Sequence, residues 1–229
     1  MNIGKSFSYV FEDKDWLTKL GIGALITIVP ILNFAWFGYG IEIIRNVMRA
    51  EPRPLPAWDN FEKKFMDGLY IAIASLIYTL PILLIICVAG LPLFLPAFTE
   101  NADLQGILAG VGGVAFFAVS CVAILYFLAY SFFYPAMLIH YSRNATFGAL
   151  FQVREILGLA TKNLGQYATA WLVVILAGLI AGFLAGTIAG VLGFIPCLGW
   201  ILSLAISGLA GVWVGAVLHH LYGQVGLTV

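Results

Sequence analysis

Apolar and polar positions alternate in long blocks, with extended uncharged runs parted by short charged connections. No Asp, Glu, Lys or Arg occurs in residues 68–99, 104–142 or 163–229. About 20 apolar residues suffice for one membrane helix, so each run has room for a span. A single helix over residues 163–229 would be about 100 Å long at ~1.5 Å per residue, against a hydrocarbon core of ~30 Å. That run must fold back. The break falls at Gly193-Phe194-Ile195-Pro196-Cys197-Leu198-Gly199-Trp200, where proline removes a backbone donor, glycine permits a tight turn and tryptophan favours the interface. Spans are predicted near 165–192 and 199–222. Two more are predicted from 68 to near 91 and from 105 to near 134, parted by Pro92, Pro96, Glu100 and Asp103. Pro81 and Pro135 are expected to kink them.

The first apolar stretch, residues 21–41, is interrupted by Val29-Pro30-Ile31-Leu32-Asn33. This matches the later break in kind: an aliphatic residue, proline, any residue, leucine and a turn-former. It therefore reads as a hairpin apex, with arms near 17–29 and 31–47 that are short for full spans. Charge decides between a hairpin and one kinked span. Lys5, Lys14 and Lys19 precede the first arm, and Arg45, Arg49, Arg53, Lys63 and Lys64 follow the second. Arg143, Arg154 and Lys162 occupy the next polar connection, which accounts for all 11 basic residues. With a hairpin they share one face, which the positive-inside rule assigns to the cytoplasm. A single span would leave three lysines outside. The expectation is an all-α polytopic transmembrane helical bundle, residues 1–229 forming one integral membrane domain. It has six membrane-entering helices, the first two a short hairpin that either spans or re-enters. The chain is expected in the cell membrane, multi-pass, with both termini cytoplasmic.

Three cytoplasmic segments carry amphipathic patterns suited to the headgroup region. Residues 1–19 set Phe7, Val10, Phe11 and Trp16 beside Glu12, Asp13, Lys14 and Asp15. Residues 58–68 follow Pro52, Pro54 and Pro56, with Asp59 and Glu62 fitting a helix-start pair and Phe61, Phe65 and Leu69 recurring every fourth position. Residues 144–163 place Phe147, Leu150, Phe151 and Leu157 on one side and Arg154 on another. Residues 1–16 show no small-residue cleavage pattern after an apolar core, so insertion is expected to use the first apolar segment.

Composition strengthens the membrane reading. The chain is 62% hydrophobic and only 10% charged, against roughly 25% charged in ordinary soluble domains, and its mean hydropathy is +1.01. The lipid bilayer is the expected surrounding partner. Formal net charge is zero, so no global field draws a nucleic acid. Cys87, Cys121 and Cys197 are odd in number, lack C-x-x-C spacing and read as small apolar packing residues.

The chain resembles the domain of unknown function 4013 family of bacterial and archaeal membrane proteins. The resemblance is carried by Phe11-Glu12-Asp13 with Trp16 and Lys19, then Ile28-Val29-Pro30-Ile31-Leu32-Asn33, Gly38-Tyr39-Gly40 and Arg45. It continues through Leu55-Pro56-Ala57-Trp58-Asp59, Asp67-Gly68-Leu69 and Leu80-Pro81. The Leu-Pro-x-Trp-Asp element before a short amphipathic helix is the most specific of these. The resemblance implies membrane location and a helical fold, and supplies no active site.

Candidate chemistry is sparse. His140, His219 and His220 read as polar residues capping helix ends rather than haem or metal ligands. Glu42, the one acid near membrane depth, is expected to pair with Arg45 or Arg49 a turn away. No catalytic motif, metal set or phosphate loop is found, so no enzyme, cofactor or metal is expected. Ala-Gly pairs at Gly178, Gly182, Gly186 and Gly190 repeat every fourth residue, and Ser203, Ser207, Gly211 and Gly215 offer a partner stripe. Small residues stacked at this spacing let helix backbones approach closely in lipid, either within the last hairpin or as a seam between subunits. Trp16, Leu55, Pro56, Trp58 and Asp59 are the candidate docking surface. The expected role is a non-enzymatic scaffold or accessory subunit associating with other membrane proteins. The alternative is a small channel or transporter, as a homo-oligomer, using the glycine-rich fifth helix and the broken first hairpin.

Overall fold

The computed structural model describes every residue except 196 and 197. Its elements, in chain order, are α1 (Ile3–Ser8), α2 (Trp16–Ile28), α3 (Phe34–Met48), α4 (Phe61–Phe94), α5 (Ala102–Asn144), α6 (Val153–Lys162), α7 (Leu164–Leu192) and α8 (Leu198–Gly226). Short 3-10 turns stand at Tyr9–Glu12, Leu95–Phe98 and Phe147–Phe151. Among the described residues, four helices are long and apolar enough to cross a membrane: α4 with the turn that continues it to Phe98, α5, α7 and α8. Pro81, Pro92 and Pro135 lie inside α4 and α5. Pro196 and Cys197, part of the predicted second break, fall outside the described residues.

The chain divides into two compact units, one of Met1–Ala72 with Pro135–Val229 and the other of Ile73–Tyr134. In the larger unit α8 is the hub, touching α1, α2, α3 and α7. The contacts fix directions. A β-carbon on Gly208 would meet Ala24, and one on Gly23 would meet Val212, so α2 runs antiparallel to α8. Gly215 lies on Trp36, Gly40 on His219 and Gly226 on Met48, so α3 runs parallel to α8. The chain therefore reverses between α2 and α3. The cause is local: the residue before a proline is driven out of the helical region, and Val29 is extended at ψ 115. Ile31 then takes the left-handed conformation at φ 74, which completes the turn. The core beside this hairpin contains Tyr9, Leu20, Trp36, Tyr39, Ile43, Val212 and Ala216.

At α5, Pro135 cannot donate to the helix ladder, and the neighbouring Ala136 N–H donates instead to the Tyr167 hydroxyl of α7 at 3.1 Å. The smaller unit is an antiparallel helical hairpin. Tyr126 donates to the Tyr78 carbonyl, and Gly90 and Pro92 lie beside Phe116 and Gly112.

Three expectations are corrected. Residues 58–68 do not form a separate interfacial helix, because α4 begins at Phe61 and passes through Gly68 unbroken. Residues 144–163 are not one helix either. Asn144 ends α5, Ala145 is left-handed at φ 53, and the 3-10 turn precedes an α6 whose Ile156, Leu159 and Ala160 face inward. Within residues 1–19, Tyr9 and Val10 are fully buried and Tyr9 donates to the Ala216 carbonyl of α8, so part of that segment packs against α8, while Phe11 of its expected apolar face stays exposed.

Candidate functional site

Helix α3 crosses both α4 and α8 at very close range. A β-carbon on Gly38 would strike the Lys64 carbonyl, and one on Gly68 the Phe34 carbonyl. The helices thus meet backbone to backbone, as small residues permit in lipid. Gly40 accommodates the His219 ring, and Gly223 accommodates Val47.

This close approach brings five charged side chains together. Lys64, 2% exposed in its side chain, places Nζ 2.8 Å from Glu42 Oε2 and 3.3 Å from Asp59 Oδ1, and donates to the Asp59 carbonyl at 2.6 Å. Arg45 Nη1 lies 2.6 Å from Asp67 Oδ2, and its Nε donates to the Ser142 carbonyl at 3.1 Å. Tyr141 donates to the other oxygen of Asp67 at 2.6 Å, with the Arg45 guanidinium 5.7 Å from its ring centroid. Glu42 therefore pairs across to α4, which corrects the expected pairing with Arg45 along its own helix. Buried charges need matched partners and additional hydrogen bonds; the Arg45–Asp67 pair has both at Nη1 and Nε, while Arg45 Nη2 is buried without a hydrogen-bond partner. Its chemistry is structural, because each charged group meets an opposite charge.

The Leu-Pro-x-Trp-Asp element is a strap across the base of these helices. The Leu55 carbonyl accepts from Lys19 Nζ at 3.0 Å, the Pro56 carbonyl accepts from the Tyr39 hydroxyl at 2.9 Å, and Trp58 Nε1 donates to the Lys19 carbonyl at 2.8 Å. Tyr39 stacks between Trp36 and Trp58, at 5.1 and 4.5 Å between centroids. Lys19 also reaches Asp13 at 2.7 Å. Burial pushes the Asp13 carboxyl up, but the Lys19 ammonium and the Asp15 N–H outweigh it and hold the group below its ordinary value. The expectation of an outward docking surface is corrected for Leu55 and Pro56, which are buried and spend their carbonyls inside the chain. Trp58 is partly buried, Trp16 packs edge-on against Phe11 at 5.0 Å, and Asp59 is exposed.

The histidines of α8 are not helix-end caps. His219 is buried with Nδ1 2.6 Å from the Gly215 carbonyl, so that nitrogen carries the proton. His220 stacks on Tyr9 at 4.2 Å, and its Nδ1 lies 2.8 Å from Ser6 Oγ. His140 Nε2 lies 2.7 Å from Gln152 Oε1.

The small-residue stripe is placed differently from the crossing glycines. A β-carbon on Gly178, Gly182, Gly186, Gly190 or Gly211 would meet nothing within 4 Å, whereas Gly215 lies against the Trp36 indole. Gly178, Gly182, Gly186, Ser207 and Gly211 instead line an open cavity of about 400 Å³ between α7 and α8. Sequence reasoning missed Gly38, Gly40 and Gly68 as the close contacts, although all three stand in the motifs that carry the family resemblance. Cys87 and Cys121 are free and exposed, not packed inside the chain.

Four helices among the described residues are long and apolar enough to cross a membrane, the character of a membrane protein. A family model described as "Protein of unknown function (DUF4013)" matches residues 22–190, and the chain belongs to that family. No curated protein and no solved structure matches it.

Proposed function

We propose that this chain is a non-enzymatic scaffold or accessory subunit of the cell membrane, which associates with other membrane proteins through the face of α7 and α8. The observation that carries this reading is the contrast between base and spans. The charges of the α3–α4 crossing are consumed by internal pairing, whereas no residue in the most apolar window of α7 is buried and its glycines open onto an unfilled groove. Association of helices in lipid relies on close packing at small residues, and this face offers them unspent. Both termini lie on the cytoplasmic side in this reading, with α2 and α3 re-entering. At ~1.5 Å per residue the two helices reach about 20 and 22 Å, short of the ~30 Å core, and the reversal at Ile31 keeps Lys5, Lys14 and Lys19 on the face of the other basic residues.

The test is native mass spectrometry with partner identification after purification in mild detergent, on wild type and Gly182→Leu. Because a β-carbon at Gly182 meets nothing within the chain, leucine leaves the monomer stable and strips a partner subunit. A wild type that is monomeric and partner-free, or a Gly182→Leu complex identical to wild type, refutes the reading. A homo-oligomer that conducts ions in bilayers would establish the channel alternative instead.

A further inference from the structure

The ends of α3 and α8 and the start of the chain border a second open cavity, of about 260 Å³, distinct from the groove and from the ion-pair layer. We propose that it binds a small zwitterionic group in which a phosphate stands beside a primary ammonium, the chemistry of phosphoethanolamine either free or as a lipid headgroup. Lys5, Glu51, His220 and Gln224 line it, with Val47 and Leu227 on its apolar wall. The proton positions follow from the hydrogen-bond network. Gln224 Oε1 accepts from the Asn2 N–H at 2.5 Å, which fixes Nε2 as the donor to Asn2 O at 3.0 Å and to Ser6 Oγ at 2.9 Å. Ser6 Oγ faces two acceptors, Asn2 O at 3.4 Å and His220 Nδ1 at 2.8 Å; the shorter contact takes its proton, and Gln224 Nε2 approaches the same Nδ1 at 3.1 Å. Nδ1 is therefore an acceptor and the proton sits on Nε2, a donor with no partner among the described residues although His220 is 4% exposed.

The two charged groups of the lining, Lys5 and Glu51, form no ion pair with each other or with another described residue. The cavity thus presents an ammonium and an imidazole N–H to an anion, and a carboxylate to a cation. Opposite charges left unpaired across one small cavity match a ligand that carries both signs. A trimethylated ammonium cannot donate a hydrogen bond to Glu51, so phosphocholine fits less well than phosphoethanolamine. The volume lies below the ~300–1,000 Å³ range of drug-sized sites, suiting a headgroup or small solute.

The experiment uses the full chain in nanodiscs of phosphatidylcholine, with phosphatidylethanolamine or phosphatidylglycerol added as minor lipid. Bound lipid is read by native mass spectrometry, and in a parallel arm free O-phosphoethanolamine, phosphocholine and inorganic phosphate are titrated by calorimetry. Selective retention of phosphatidylethanolamine identifies the headgroup as the source; binding of free O-phosphoethanolamine above phosphocholine and phosphate identifies a solute. Either result supports the site when Glu51→Gln and Lys5→Gln, both at exposed side chains, each weaken that binding roughly tenfold, the scale of a charge-assisted hydrogen bond. Equal retention of all three lipids together with equal or absent solute binding overturns the proposal. So does binding that both variants leave unchanged.

Discussion

Adding one methyl group at Gly38 tests whether the backbone contact between α3 and α4 organises the base. Its β-carbon would meet the carbonyl of Lys64, part of a buried helix rather than the tip of a flexible side chain. Intrinsic propensity favours alanine over glycine in a helix by ~1 kcal/mol. Overpacking costs ~1–3 kcal/mol, occasionally more, and a backbone obstacle puts Gly38→Ala at the upper end. A net loss of about 2 kcal/mol is expected, which for a chain of this size lowers the melting temperature by roughly 4–8 °C. Parting the helices would also stretch the 2.8 Å Lys64–Glu42 and 2.6 Å Arg45–Asp67 pairs. Gly68→Ala is expected to cost a similar amount, and the double variant less than the sum, because one separation relieves both clashes. Gly182→Ala, whose β-carbon meets nothing, should show no loss. Thermal unfolding in mild detergent, followed by circular dichroism, measures all four variants. Wild-type melting of Gly38→Ala, or equal losses at Gly38 and Gly182, would refute the backbone-contact reading.

Asp67→Asn should destabilise by ~3–5 kcal/mol, the cost of leaving a buried charge unpaired, and Arg45→Met in the same chain should restore much of the loss; chemical denaturation of both variants measures this. Tyr167→Phe removes the acceptor of the Ala136 N–H beside Pro135 and should cost ~1–3 kcal/mol, with faster hydrogen exchange at Ala136. Because the Asp13 carboxyl is held below its ordinary 3.8 in the folded chain, its contribution is complete above that pH and is lost as pH falls through the lower folded value. The stability advantage of wild type over Asp13→Asn should therefore shrink only in strongly acidic buffer, as followed by melting curves from pH 7 downwards.

How much of this was legible depended on whether the cause was local. The apex at Val29-Pro30-Ile31 could be read because proline acts on its immediate neighbour, and the long helices because uncharged length alone defines them. The start of α4 was misread because Gly68 resembles a helix boundary in sequence, whereas its reason is the Phe34 carbonyl of another helix. The partner of Glu42 was misread similarly. Spacing within α3 offered Arg45, and only the crossing brings Lys64 nearer. A signal was nonetheless present: Glu42 and Arg45 repeat at the same three-residue interval as Lys64 and Asp67, with the signs reversed, as two facing ion pairs would require.

Glycine has two opposite uses in this chain, and the difference bears on function. At Gly38, Gly40, Gly68 and Gly223 the absent side chain is occupied by a neighbour, so these positions are already committed to the fold. At Gly178, Gly182, Gly186 and Gly190 the same absence leaves space. Glycine costs ~1 kcal/mol relative to alanine in a helix interior, and four such costs along one face of α7 return nothing within the single chain. In lipid there is little hydrophobic drive to bring helices together, so a face that keeps its backbone accessible has its use in contact with another helix. Alanine at all four positions should then leave the isolated chain as stable as wild type or more so, while weakening its association with partner subunits. Loss of stability in the monomer itself would place the use of those glycines inside the chain and remove the ground for a docking face.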